Sequence, residues 1–272
     1  MDAGKIDYSP ARRPLKDRVR FKIPCYVSHL LQKETSWTYV TLGGDQLIDI
    51  QRLLYALDPQ QYPQEIISVY YDPEEDANHA SESIRTAGFM ANKIQAQYNL
   101  RSAPRIIYGT VERLRQSDIN SDVVVMFLDY EGTVHTYRHE IGTCIGNNVL
   151  NVGDLLFVTS CVDEKFFEGN VAFRSKSQRR VSEYCHVSPE KLSPRDRLGF
   201  WDLSLIRDQV RQASFHLRNR LDCKPLGPLV LYENTVRMLW LPLQIVDYNP
   251  KSKPPRVRLQ TLERKPDRLT LE

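Results

Sequence analysis

Cysteine is scarce in this chain and never paired. Five residues (Cys25, Cys144, Cys161, Cys185 and Cys223) are scattered over 272 positions, odd in number and without a C-x-x-C spacing. A disulfide framework and a zinc knuckle are therefore not expected, and reduced, buried thiols are. No apolar run approaches the roughly 20 residues that span a bilayer, and no apolar leader follows the amino terminus, so an intracellular protein without membrane association is expected. A glycine-rich phosphate loop, a Walker motif and a Gly-x-Ser-x-Gly elbow are also missing. Nor is there an excess of one charge: 37 Lys and Arg face 34 Asp and Glu, a formal +3, far below the surplus of a dedicated nucleic-acid binder. The 41% hydrophobic content is enough for one large domain or two small ones with a real core.

Residues 1–20 carry Lys5, Arg12, Arg13, Lys16, Arg18 and Arg20 with little apolar content, which predicts a flexible basic arm. The runs 21–30 and 37–42 read as strands, with Gly43-Gly44 closing the second. Asp45 then offers an N-cap to a helix with Leu47, Ile50, Leu54 and Leu57 on one face, ended by Asp58-Pro59. The acidic run 72–76 reads as a solvated turn. Three short apolar runs follow at 94–98, 106–111 and 123–130. Turn signals at 99–104 and 116–122 separate them, a spacing that suits consecutive antiparallel hairpins curling into a small barrel. Further strands are expected at 154–158 and 169–174, followed by a basic, polar stretch over 175–180. A helix over 203–221 would bury Ile206, Val210, Ala213, Leu217 and Leu221 and turn Arg207, Arg211 and Arg218 to solvent. Strands at 228–232, 236–248 and 256–262 complete the chain.

Chemistry-bearing patterns are few. His135 and His139 are four apart and Glu140 follows, but the H-E-x-x-H order is absent, so solvent-facing histidines are expected rather than a metal site. Cys185-His186 would point to opposite faces of a strand, which argues against a nucleophile and base. Basic residues at 5–20 and 251–268, with Lys176, Arg179 and Arg180, could track a phosphate backbone while Trp37 or Tyr39 stacks bases. That is the rival reading, a single-stranded RNA binder with an oligonucleotide-binding-type barrel and basic arms.

The apolar runs ending in Phe127-Leu128-Asp129-Tyr130, with two strands and a helix before them and a helix and strands after, resemble an extended Tudor domain. In that family a Tudor barrel is inserted into a staphylococcal-nuclease-like barrel, and an aromatic cage receives methylated arginine. The resemblance implies a mostly β (α+β) fold, a small Tudor barrel plus an oligonucleotide-binding-type, staphylococcal-nuclease-like barrel joined by helices. The domain would cover 21–262, with the Tudor core at about 88–145, flanking parts at about 21–62 and 200–262, a β-rich insertion at about 146–199 and a tail at 263–272. It also implies a degenerate, cofactor-free peptide site at Tyr98, Ile107, Phe127, Asp129, Tyr130 and Gly132. Ile106-Ile107 stands where the family has a tryptophan-tyrosine pair, and Tyr130-Glu131-Gly132 replaces its Tyr-Gly-Asn ending, so methylarginine dependence should be weak or absent. The implied role is a non-enzymatic scaffold of the piRNA pathway, binding the disordered amino-terminal peptide of an Argonaute/Piwi-type partner in cytoplasmic, perinuclear germ granules (nuage).

Overall fold

Three of the most apolar segments, around residues 40, 126 and 157, are buried along almost their whole length, and continuous burial of this kind belongs to parallel strands covered on both faces. In the computed structural model, residues 18–32, 35–44, 46–70, 77–130, 132–162, 181–184, 191–233, 237–254 and 256–262 are described, the side chains of 77–81, 135, 194, 195 and 233 excepted. Along the chain run α1 (Lys22–Leu30), β1 (Trp37–Leu42), α2 (Ile48–Ala56), β2 (Glu65–Tyr70), α3 (Ala77–Tyr98), β3 (Arg105–Tyr108) and β4 (Val123–Asp129). Then come α4 (Val134–Gly146), β5 (Leu155–Cys161), α5 (Pro194–Ala213), β6 (Leu221–Pro225), β7 (Leu229–Glu233), β8 (Arg237–Asp247) and β9 (Leu259–Leu262).

The strands form one open nine-stranded sheet in the order β3-β2-β1-β4-β5-β8-β7-β9, with β6 also on β8. The first five are mutually parallel. β8 runs antiparallel to β5 and to β7, and β9 is parallel to β7. β6 and β7 share the far edge of β8, as two halves of one line broken at 226–228. At that break a Cβ on Gly227 would lie 2.2 Å from the Tyr26 hydroxyl, so only glycine admits the close approach of α1.

Helices cover both faces. Ile23 and Val27 of α1, Ile50 and Leu54 of α2, and Ala87, Ala91 and Ile94 of α3 pack on one face against Tyr39, Phe127 and Phe157. Ile141 and Ile145 of α4 and Leu203, Ile206 and Val210 of α5 pack on the other against Val40, Met126 and Val158. The change of face falls between β1 and β4. There the chain, having built outward to β3, returns to the other side of β1 and reverses the strand order.

This topology corrects the two-barrel expectation. Among the described residues the sheet ends at β3 and β9 and closes into no barrel. The run 94–98 is the last turn of α3, 21–30 is largely α1, and 116–118 is a single 3₁₀ turn. The supposed hairpins are thus helical crossovers, which parallel neighbours require. The extended Tudor resemblance falls with the barrel, and so do the piRNA scaffold and the oligonucleotide-binding-type RNA reader. Trp37 and Tyr39, proposed to stack bases, are 3% and 1% exposed. The basic arm over 1–17, the acidic run 72–76, the strand at 169–174, Lys176, Arg179, Arg180, Cys185-His186 and the tail at 263–272 lie outside the described residues.

Candidate functional site

Strand registers assemble a row of side chains at the carboxyl edge of the parallel strands. Tyr108 pairs with Tyr70, Asp129 with Thr159 and Thr159 with Trp240. Continuing the β1 registers, by one residue against β2 and by two against β4, sets Gly43 between Tyr70 and Asp129. Directly opposed residues share a face, so Tyr108, Tyr70, Gly43, Asp129, Thr159 and Trp240 line one face, the face that α1 to α3 cover. This row crosses the point where the strand order reverses, the place where open α/β sheets bind ligands outside the carboxyl ends of their strands.

Each half of the row has its own chemistry. On the β2–β3 side, the Tyr70 and Tyr108 rings lie 6.2 Å apart. Gly43 leaves a gap that the Ser68 side chain fills: a Cβ at 43 would meet the Ser68 hydroxyl at 1.9 Å. That hydroxyl is buried and has no hydrogen-bond partner among the described residues. Gly44 faces open space, with nothing within 4 Å of a Cβ placed on it. Leu47 then turns the chain into α2 with φ of 48°, a left-handed conformation that costs a bulky residue on the order of 1–3 kcal/mol. Its 2% exposure shows burial holding it there. The turn delivers Asp49 to the first turn of α2, where the helix dipole favours a carboxylate.

On the β4–β5 side the row is ionic. Arg20, in the helical turn before α1, sends Nη2 to Asp129 Oδ2 at 2.5 Å and Nε to Asp49 Oδ1 at 3.1 Å. The Thr159 hydroxyl donates to the other Asp129 oxygen. Side-chain exposure is 14% for Arg20 and 7% for Asp129, so this is a largely buried bridge between segments 109 residues apart. The Tyr39 and Tyr232 phenols look onto it. Burial, then the charge of Asp49 for Tyr39 and of Asp129 for Tyr232, pushes both well above the ordinary tyrosine range. The hydroxyl of Tyr232 and the indole N–H of Trp240 are buried without partners among the described residues. α1 covers this half: the Lys22 ammonium stands 5.7 Å from the Trp240 ring centroid, and Tyr26 packs on Phe157 and Trp240.

Of the six residues expected to form a cage, the structure brings only Asp129 to this row. Phe127 is fully buried one step below it. Tyr130 faces the opposite side of the sheet, stacked on Tyr137 at 4.3 Å with its hydroxyl donating to Glu140. Gly132 lies against Tyr137, and Ile107 packs on the same far face. Tyr98 ends α3, donates to the Gln51 carbonyl and lines a shallow depression of about 270 Å³ with Ile48, Arg52 and Tyr55, which shares no residue with the row. The His139 imidazole lies on α4, 3.6 Å from Glu112, and the described residues hold no group of three metal-ligating side chains. Sequence reasoning missed Arg20, Asp49, Tyr70, Tyr108, Thr159 and Tyr232. The available signal was Gly43-Gly44 between an apolar strand and a helix.

No protein-family profile matches the chain, and no curated protein does. Among solved structures it is similar to the magnesium protoporphyrin IX methyltransferase of Synechocystis PCC 6803, solved with bound SAH. Identity there is 8%, over 89% of each chain, with a TM-score of 0.46. A protein of the NADB-Rossmann superfamily from Streptococcus agalactiae is 10% identical over 84% of this chain and 69% of its own, with a TM-score of 0.41. An SAH-bound methyltransferase of Podospora anserina is 10% identical over 85% and 78%, with a TM-score of 0.38. The expectation of a non-enzymatic peptide scaffold rested on the Tudor barrel, and the open sheet with its ligand-type edge overturns it.

Proposed function

We propose that this chain is a methyltransferase that uses S-adenosylmethionine. The observation that carries the reading is the strand order: five parallel strands arranged β3-β2-β1-β4-β5, extended by the antiparallel β8 wedged between β5 and β7. That is the arrangement of Rossmann-like methyltransferases, and the fold supplies the analogy while the edge supplies the chemistry. The residues at the edge fit the cofactor in kind. The open backbone at Gly44 can approach a ligand closely, and Tyr70 and Tyr108 offer aromatic surface for a purine. Asp129 and Asp49, paired with Arg20, lie beside this position, and α1 keeps water from the ionic half. Bound S-adenosylmethionine supplies an electrophilic methyl group on a cationic sulfur, which keeps the bonding electron pair when the methyl leaves.

Calorimetric titration with SAH, S-adenosylmethionine and NAD tests this. Binding of the first two and not of NAD is expected. Tyr70→Ala should weaken SAH by roughly 5- to 150-fold, the ~1–3 kcal/mol of a lost base–aromatic contact. Gly44→Trp, at an exposed position with open space around it, should fill the crevice and abolish binding without unfolding the chain. Binding of NAD alone, or SAH affinity untouched by both substitutions, would overturn the reading.

A further inference from the structure

We infer that Asp49, Asp129 and Tyr232 form the acceptor-substrate site, that its ligand is a guanidinium group, and that Arg20 occupies it in the unliganded chain. This rests on the proposed function and names the substrate class for the same edge. The first observation is the shape of what is bound. Arg20 presents different nitrogens to the two carboxylates, Nη2 hydrogen-bonded to Asp129 and Nε in an ion pair with Asp49 that lacks hydrogen-bond geometry. A planar fork spans two acceptors in this way, whereas an ammonium presents one compact charge. The second is independent of the acids. The Tyr232 side chain is 98% buried, taking its 2% exposure from unity, and its hydroxyl finds no partner among the described residues. It nevertheless lies within electrostatic reach of both Asp129 and Arg20. A buried hydroxyl without a bond costs about 1–3 kcal/mol, and a guanidinium, which has five N–H donors and no acceptor, can satisfy it. The third is placement. Asp129 and Thr159 adjoin Gly43 in one row, so a group held there lies beside the proposed cofactor position.

The site is formed by the folded sheet and α2, while its present occupant comes from the segment before α1. Displacement of Arg20 by a substrate guanidinium therefore leaves the sheet and α2 intact and loosens α1. A clasp that merely pins the amino-terminal segment would not yield to a soluble ligand in the native protein, and that difference decides the test.

Agmatine, an arginine-containing peptide and N-carbamoylputrescine, which keeps agmatine's ammonium but has a neutral urea in place of its guanidinium, are titrated into the native chain and into Arg20→Ala, with SAH binding measured on the same samples. Arg20→Ala should bind agmatine at least about tenfold more tightly than the native chain, since a competing charge-assisted pair is gone. In the native chain, saturating agmatine should speed amide exchange over 22–30 by about fivefold or more through local opening. The urea analogue, whose remaining ammonium controls for simple charge, should do neither, and Asp129→Asn added to Arg20→Ala should abolish the gain. Tighter binding of agmatine than of the peptide assigns a small-molecule acceptor, and the reverse a protein arginine. If Arg20→Ala does not fold, Arg20→Lys takes its place with the same expected order of affinities. Equal binding of the urea analogue, or no faster exchange in the native chain, overturns the inference even where SAH binds. Guanidinium binding without SAH binding keeps the site and removes the methyl-transfer reading.

Discussion

Asp202 shows at a single residue how burial sets chemistry in this protein. It lies on α5, 7% exposed, and burial raises its carboxyl to about 8, with only a contact to the Ser160 hydroxyl opposing. The group is therefore mostly neutral at pH 7. A folded-state value above the unfolded one means that the folded chain binds the extra proton. Its contribution is fully present below about pH 4 and is lost as pH rises through about 8. Asp202→Asn keeps a neutral hydrogen-bonding side chain and removes this slope, so it should gain on the native chain by on the order of 1–3 kcal/mol between pH 5 and pH 8.5. Urea unfolding at the two pH values checks it. A constant difference between variant and native protein would mean that Asp202 ionises normally. Asp154, pushed up to about 7 by burial although it accepts N–H bonds from Val124 and Asn151, adds to the slope with the same sign.

At the scale of elements, α5 is fastened to β6 by one carboxylate. Asp222 takes Arg207 Nε at 2.9 Å, a second bond from Arg207 Nη2, and Arg211 Nη2 at 2.8 Å. Tyr184 lies under Arg207 and Tyr248 under Arg211, each 5.2 Å from the guanidinium carbon to the ring centroid. Burial works against the Asp222 charge, but the two arginines outweigh it and hold the carboxyl below its ordinary range. Its contribution is therefore lost as pH falls through that lowered value. Asp222→Ala strands a guanidinium that is 3% exposed and should cost about 3–5 kcal/mol. Arg211→Ala, whose side chain is 34% exposed, should cost about 1 kcal/mol or less. Equal losses in denaturant titrations would contradict this division. The sequence pattern placed Arg207 and Arg211 on a solvated face because charge is the usual mark of an outer surface. Nothing along the helix announced that Asp222, eleven and fifteen residues later, would pair with both and that Arg207 would be buried. Other elements were legible: β1, β4, β5, β7, β8 and α2 fall close to where apolar runs and helical spacing put them. α1 and the end of α3 were taken for strands because short apolar runs do not separate the two states. The pairing direction, which distinguishes a parallel sheet from a barrel of hairpins, depends on contacts between strands far apart in sequence. Asp129, expected among cage aromatics, therefore lies instead beside Arg20 and Thr159.

Across the whole molecule, stability and ligand binding are distributed unequally along one sheet. β1, β4, β5 and β8 are paired on both edges and covered on both faces, whereas β3 has one neighbour and four half-buried residues. Amide exchange should therefore be slowest in β4 and β5 and much faster in β3 and β9, as local opening draws on the least buried, singly paired segments. The same edge strand supplies Tyr108 to the row, and Gly109 follows it with φ of 133°, a backbone that favours glycine. Ligand contact at Tyr70 and Tyr108 would tie β3 to the stable centre of the sheet. Binding stabilises only states that retain the site, by RT ln(1 + [L]/Kd), so the relative gain is largest where opening was easiest. SAH should slow exchange in 105–109 by at least about tenfold at 100-fold excess over its dissociation constant, while β9, which has no residue in the row, should change little. Equal slowing of β3 and β9 would point to general tightening of the sheet. Slowing at β9 alone would place the ligand at the opposite end from Gly43 and remove the β2–β3 half of the proposed site.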